Sequence, residues 1–240
     1  MGEVDAYFIC ATPRTGSSLL CGLLAATGVA GRPEAYFREP DEASWADRWG
    51  LPAGAWSYGD FVRAALAEGR TGNGVFGAKL MWGTLDRVVA GLAAEHPELA
   101  GSDDALLRRA FGRTAFVHLR RDDVLAQAVS WLRAEQTAVW YVGDPGWTGR
   151  EPRYDPDGID ALLRTIEAHQ AAWAEWFDAY GITPHRVRYE DLAADPAGVT
   201  RGILDALGLA LPPGVTIRPR HVRQADALNA AWIARHRSRT

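Results

Sequence analysis

Short apolar runs alternate along the chain with longer stretches in which apolar residues return every three or four positions. Tyr7 to Ala11 is a short apolar run followed by Thr12-Pro13-Arg14-Thr15-Gly16-Ser17-Ser18, and Ser18 to Ala26 is helical in pattern. This is a strand, a small-residue turn and a helix. Further strands are predicted at Gly74 to Leu80, Ala115 to Leu119 and His185 to Tyr189. Helices are predicted at Phe61 to Glu68, Asp86 to Ala94, Asp104 to Ala110, Ile159 to Tyr180, Ala197 to Leu207 (ended by Gly208) and Gln224 to His236. From Asp123, Val124, Ala128 and Trp131 with Leu125, Val129 and Leu132 draw one more helical face, N-capped by Asp122 or Asp123. Residues 28–58, rich in Gly, Pro and aromatics, read as an irregular segment over a cleft. Residues 143–158 hold three Pro and four Gly and read as a loop between two halves. Strands alternating with helices imply an α/β fold, a central parallel sheet with helices on both faces.

Composition narrows the class. The 240 residues fit a single domain spanning 1–240. Thirty acidic against 26 basic residues leave a net charge of −4, which argues against general polyanion binding, so no nucleic-acid partner is expected. A hydrophobic fraction of 48% with 23% charged residues fits a globular protein. Cys10 and Cys21 are the only cysteines, too few for a disulfide framework or a metal cluster. The acidic start does not open a signal peptide, and no run approaches the roughly 18 apolar residues of a membrane span. A cytoplasmic location is the expectation. The ten tryptophans, Trp45, Trp49, Trp56, Trp82, Trp131, Trp140 and Trp147 among them, fit core packing or a stacking wall for a sugar or a base. One cation stands out. Of the 26 basic residues only Lys79 is lysine, and the other 25 are arginine.

The turn after the first strand is the first candidate site. A strand feeding a Gly/Ser/Thr turn and a helix offers backbone N–H groups and a positive dipole end to an anion. Ser17 and Ser18 add hydroxyl donors, and Arg14 adds a fork suited to phosphate or sulfate oxygens. The motif G-x-x-x-x-G-K-[ST] is not met, since no lysine follows Gly16. The third strand ends in Arg120-Arg121 and the next helix carries Ser130, residues able to grip a second phosphate beside the first. Successive strand residues point to opposite faces, so only one of the two arginines can face that site. Arg120 is the first choice and Arg121 the competitor.

Thr12 to Leu20 and Leu119 to Trp131 resemble the two PAPS-binding signatures of sulfotransferases, PAPS being 3′-phosphoadenosine 5′-phosphosulfate. The second segment is similar to the trehalose 2-sulfotransferase-like family, as are Thr27 to Glu34, Arg133 to Thr137 and Arg223 to Asn229. The resemblance implies a P-loop-like sulfotransferase fold. It implies transfer of a sulfuryl group from PAPS to a hydroxyl of a small acceptor, carbohydrate or glycolipid, leaving PAP, with no metal required. Arg14 would lie against the 5′-phosphosulfate, with Thr15, Gly16, Ser17 and Ser18 donating to it, while Arg120 and Ser130 hold the 3′-phosphate. Lys79, at the end of the second strand, would stand beside the bridging oxygen, where a compact ammonium follows a leaving oxygen better than a rigid guanidinium. The histidine base that many sulfotransferases carry two residues later is Met81 here.

The family's own base lies in a segment Gly-x-Pro-x-Glu-aromatic-Phe. This chain reads Gly31-Arg32-Pro33-Glu34-Ala35-Tyr36-Phe37, with Ala35 in the Glu position. Glu34 is the first candidate base, and Glu39 and Asp41 are the others. A small P-loop kinase, or a PAPS-binding protein with an impaired base, are the alternative readings. Arg218, Arg220 and Arg223 form either a solvated tail or a loop over the 3′-phosphate. Tyr189-Glu190-Asp191-Leu192 reads as a cap for the next helix, and His118 as a core or site-wall residue. The resemblance also carries the expectation of a homodimer.

Overall fold

The computed structural model describes residues 4–52, 54–140, 149–218 and 227–239. Four strands, β1 (Ala6–Ala11), β2 (Phe76–Met81), β3 (Thr114–Arg120) and β4 (His185–Arg188), form a parallel sheet in the order β2-β1-β3-β4. Among the described residues the helices are α1 (Ser17–Ala26), α2 (Asp41–Arg48), α3 (Tyr58–Gly69), α4 (Thr84–Glu95), α5 (Asp103–Phe111), α6 (Val124–Thr137), α7 (Pro156–Ala179), α8 (Tyr189–Ala194), α9 (Pro196–Leu207) and α10 (Ala227–Arg237).

Every residue of β1 is buried, which is why its apolar run is continuous rather than alternating. Phe8, Cys10, Phe76, Ala78 and Phe116 meet residues of α3, α4, α5 and α7 on one face. Tyr7, Ile9, Ala11, Val117 and Val187 meet α1, α8 and α9 on the other. Helices therefore cover both faces, as the alternation of elements implies. A third cluster, with Val129, Leu132, Ile159, Ile166 and Trp232, joins α6, α7 and α10 away from the sheet.

Caps explain where the helices stop. The Asp123 carboxylate accepts from Ala126 N at the start of α6, and Asp195 accepts from Gly198 N ahead of Pro196 on α9. Gly208 ends α9 in the left-handed region, as its position predicts. Residues 28–58 are more ordered than their composition suggests. Tyr36 and Phe37 are buried in the core, and α2 brings Trp45 onto Tyr36 at 5.2 Å between ring centroids. The helical period of α2 is masked because its core contact is made by only a few residues, while Glu42 is buried against Arg87. The tryptophans are mainly packing: Trp173 is fully buried, and Trp45, Trp49, Trp56 and Trp82 lie on the same core. Trp147, Arg220 and Arg223 lie outside the described residues.

From central β1 the chain crosses to β2 on one side and later to β3 on the other. The crevice beyond the carboxyl ends of β1 and β3 is thus a topological switch point, where open α/β sheets bind ligands.

Candidate active site

The loop from Thr12 to Gly16 occupies that crevice. Arg14 has φ 68° and Gly16 φ 84°, so the chain twice enters the left-handed region before α1 begins. For a non-glycine residue such as Arg14 that conformation costs on the order of 1 kcal/mol and is held by its surroundings. A Cβ on Gly16 would come within 2.7 Å of the Tyr189 ring, so glycine alone fits there. The surroundings are specific. The fully buried Gln127 donates from Nε2 to Thr12 Oγ1 and to the Pro13 carbonyl, both at 2.7 Å, and Thr15 Oγ1 donates to the Thr12 carbonyl at 2.9 Å. The N-terminus of α1 has no side-chain cap and no acid in its first turn, which leaves its positive end to an external anion.

Lys79 stands beside that end. It is the fourth residue of β2, and its Nζ donates to Ser18 Oγ at 3.3 Å. On the other side of the loop, Arg14 Nε donates to Ser130 Oγ at 2.9 Å, and its Nη1 donates to the Trp140 carbonyl. It is Arg121, rather than Arg120, that the structure sets against this group. Arg121 Nη1 donates to the Arg14 carbonyl at 3.3 Å, and its guanidinium lies 4.6 Å over the Tyr189 ring. Arg120, exposed, donates instead to Gln170 Oε1 on α7 at 2.8 Å. β3 ends at Arg120, so Arg121 lies in the turn beyond it, and contact with the loop rather than strand alternation separates the two. Burial, and then the positive charges of Arg121 and Arg133, push the Arg14 guanidinium down to about 10.

Glu34 lies at the sheet edge. It pairs with Ala78 in an isolated parallel bridge, and its carbonyl accepts from Lys79 N at 2.9 Å. The next residue, Ala35, thus holds the register position of Lys79. The Glu34 carboxylate is exposed and makes no hydrogen bond or ion pair with any described residue. The other candidates are engaged: Glu39 pairs with Arg87 at 3.1 Å and Asp41 with Arg38 at 2.7 Å. Burial pushes the Cys21 thiol up to about 12, Lys79 pulls it down and Glu34 pushes it up, so both charges are felt on α1.

Several partners escape a reading by sequence. Gln127 sits on the apolar face of α6, and Arg133 falls in a stretch that resembles the family without carrying a role. Tyr189 does more than begin α8, since it packs against Gly16 and under Arg121. Glu190 accepts from the backbone N–H groups of Asp122 and Asp123, fixing the turn that follows Arg121. Arg218 is exposed, whereas Arg235 stacks on Tyr154 at 4.1 Å and Arg237 reaches Asp123. His118 is 2% exposed and packs 5.2 Å from the Phe177 ring. Burial, with Arg120 and Arg186 nearby, pushes it down to about 4, which fits a neutral wall residue.

Residues 6–239 match the sequence model of the Stf0 sulphotransferase family. Two curated relatives are each 31% identical to this chain. One is a trehalose 2-sulfotransferase of Mycobacterium tuberculosis, matched over 98% of this chain and 95% of the relative. The other, a trehalose 2-sulfotransferase of Mycolicibacterium smegmatis, is matched over 97% and 94%. A crystal structure of a sulfotransferase from Alicyclobacillus acidocaldarius superposes with a TM-score of 0.50 at 16% identity, over 99% of this chain and 96% of that one. This last likeness concerns the fold alone. Among the described residues no helix is long and apolar enough to cross a membrane.

Proposed function

This chain belongs to the Stf0 sulphotransferase family and is an enzyme that transfers sulfuryl groups, and we propose that its donor is PAPS and its acceptor a hydroxyl of a small carbohydrate. The observation that supports the donor reading is two groups of cationic and hydroxyl donors around one loop. The open end of α1 with Lys79 makes the first, and Arg14 with Ser130 the second, while Arg121 is tied to the loop through the Arg14 carbonyl. PAPS carries two anionic groups on one nucleoside. The carbohydrate reading is supported by the names of the two curated relatives.

In this reading Thr15, Gly16, Ser17, Ser18 and Lys79 receive the 5′-phosphosulfate, and Arg121, tied to the loop through the Arg14 carbonyl, replaces Arg120 as the strand-end arginine that serves the 3′-phosphate. The acceptor oxygen forms the new S–O bond as the bond from sulfur to the bridging oxygen breaks, and that oxygen leaves on the 5′-phosphate of PAP. Charge grows on that bridging oxygen, and Lys79 supplies a point charge close to where it develops. Glu34, the candidate carboxylate without a partner, is the base in this reading, although its bridge to Ala78 sets it one register position from Lys79 and on the alternate side of that extended segment.

Calorimetric titration with PAP and with ADP tests the donor. PAP is expected to bind and ADP to fail, whereas the reverse preference would favour a kinase. Incubation with PAPS and a sugar panel that includes trehalose then tests the acceptor. A second reading has a specific observation behind it: Ala35 occupies the register position beside Lys79 where the family's Glu is expected. Tight PAPS binding with no sulfated product across the panel would favour a binding protein over an enzyme of carbohydrates.

A further inference from the structure

Arg133 follows Ser130 by three residues on α6, so the two side chains leave the same helical face. That face borders a cleft of ≈ 340 Å³, a size that suits part of a nucleotide. Arg14, Ser130 and Arg133 line it together, with Val139, Pro152 and Leu228 supplying apolar wall and exposed Glu151 at its margin. Arg133 is near enough to Arg14 to help depress it, as Arg121 does. Three guanidiniums in one place repel one another, and a bound anion converts that repulsion into attraction. The direction of Arg133 is set by a second element. Its Nη1 donates to Asn229 Oδ1 at 2.7 Å, and Asn229 belongs to α10. That helix is anchored independently of the cleft, through buried Trp232 against α6 and α7 and through His236 Nε2, 3.1 Å from Asp160 Oδ1.

We infer that Arg133 is a further donor to the 3′-phosphate and that Asn229 is the positioning residue that aims it. Together they set the preference for a 3′-phosphorylated nucleotide over the same nucleotide without that group. The inference rests on the PAPS reading given above. It extends the second anion position from α6 to the C-terminal helix, and it assigns Asn229 a task beyond tying two helices together.

The test is the ratio of two affinities, measured by calorimetry with PAP and with adenosine 5′-phosphate. Arg133→Ala is expected to weaken PAP about tenfold, the scale of one charge-assisted hydrogen bond, and to leave adenosine 5′-phosphate unchanged. Asn229→Ala is expected to lower the same ratio by about threefold, because Arg133 keeps its charge and loses only its aim. Asn229→Gln, which keeps a neutral amide oxygen for the guanidinium, restores part of the ratio. Retained binding of adenosine 5′-phosphate shows that each variant is folded. Equal losses for both nucleotides, or no loss of PAP binding in Arg133→Ala, would overturn the inference and leave the donor reading intact. Failure of the unaltered protein to bind PAP would overturn both.

Discussion

The two sides of the site are held in different ways. The donor side, from Thr12 to Ser18, is gripped by four separate elements: Gln127 and Ser130 from α6, Arg121 beyond β3, Tyr189 from α8 and Lys79 from β2. The proposed acceptor side has an exposed carboxylate at Glu34, on a backbone held by the bridge to the sheet edge, by Arg32 N on the Gly69 carbonyl and by buried Tyr36 and Phe37. Electrostatic stabilisation works only if the donors are in place before charge develops, and that is the side with redundant ties. The exposed Glu34 side chain can change at little cost to the donor side, whereas the shape of its segment is fixed by Tyr36 and Phe37 in the core. A family can in this way hold its donor constant and vary its acceptor, and the Ala35 substitution falls where such variation costs least.

Lys79 touches both sides, through Nζ to Ser18 and through its backbone N–H to Glu34, so it offers the sharpest way to break the contrast. Lys79→Ala is expected to lower kcat about 10²- to 10³-fold, the scale of losing one preorganised donor to the transition state, with PAP affinity nearly kept. Lys79→Arg should recover only part of the rate, because a rigid fork replaces a point charge. Turnover that is unchanged in both variants would remove Lys79 from the chemistry. Glu34→Gln comes next, with an expected loss of about 10²-fold in kcat, the scale of general-base catalysis, and no change in the PAP titration. Adding Ala35→Glu to that variant places a carboxylate at the register position of Lys79 and should restore part of the rate. A donor side disturbed by either change would contradict the independence of the two sides.

How much of this could be read from the sequence depends on how local the information is. The β1–turn–α1 unit is legible because burial, turn chemistry and helix period all lie within twenty residues, and Asp123 and Gly208 mark helix ends where a cap and a left-handed residue are needed. Lys79 is legible through rarity and through its place at a strand end. Gln127 and Tyr189 are not, because each acts on the loop from more than a hundred residues away. Arg120 against Arg121 is undecidable from alternation alone, since nothing local says which face of β3 looks at the loop. In residues 28–58 a short helix with a small core contact is hidden by the Gly, Pro and aromatic content around it.

That last pair gives the next prediction. Arg121→Ala should weaken PAP about tenfold, the scale of one charge-assisted contact, whereas Arg120→Ala should leave it within about twofold because its exposed guanidinium is spent on Gln170. Equal losses would mean that both arginines serve the donor and that the strand turns after Arg120 more than its last hydrogen bonds show.

The smallest expected effect concerns β3 itself, the strand that supports the donor side. His118 is buried on it between Arg120 and Arg186, and the native imidazole resists protonation down to about 4. The unfolded chain takes the proton near 6.5, so between those values the unfolded state holds more protons than the native one. Stability is therefore full above pH 6.5, falls as pH drops through it, and stops falling for this reason below about 4. At pH 5.5 the cost is about 1 kcal/mol relative to pH 7.5. His118→Phe keeps a ring against Phe177 and removes the proton, so urea midpoints measured at the two values should separate less in the variant than in the unaltered protein. An equal separation would place the acid sensitivity elsewhere.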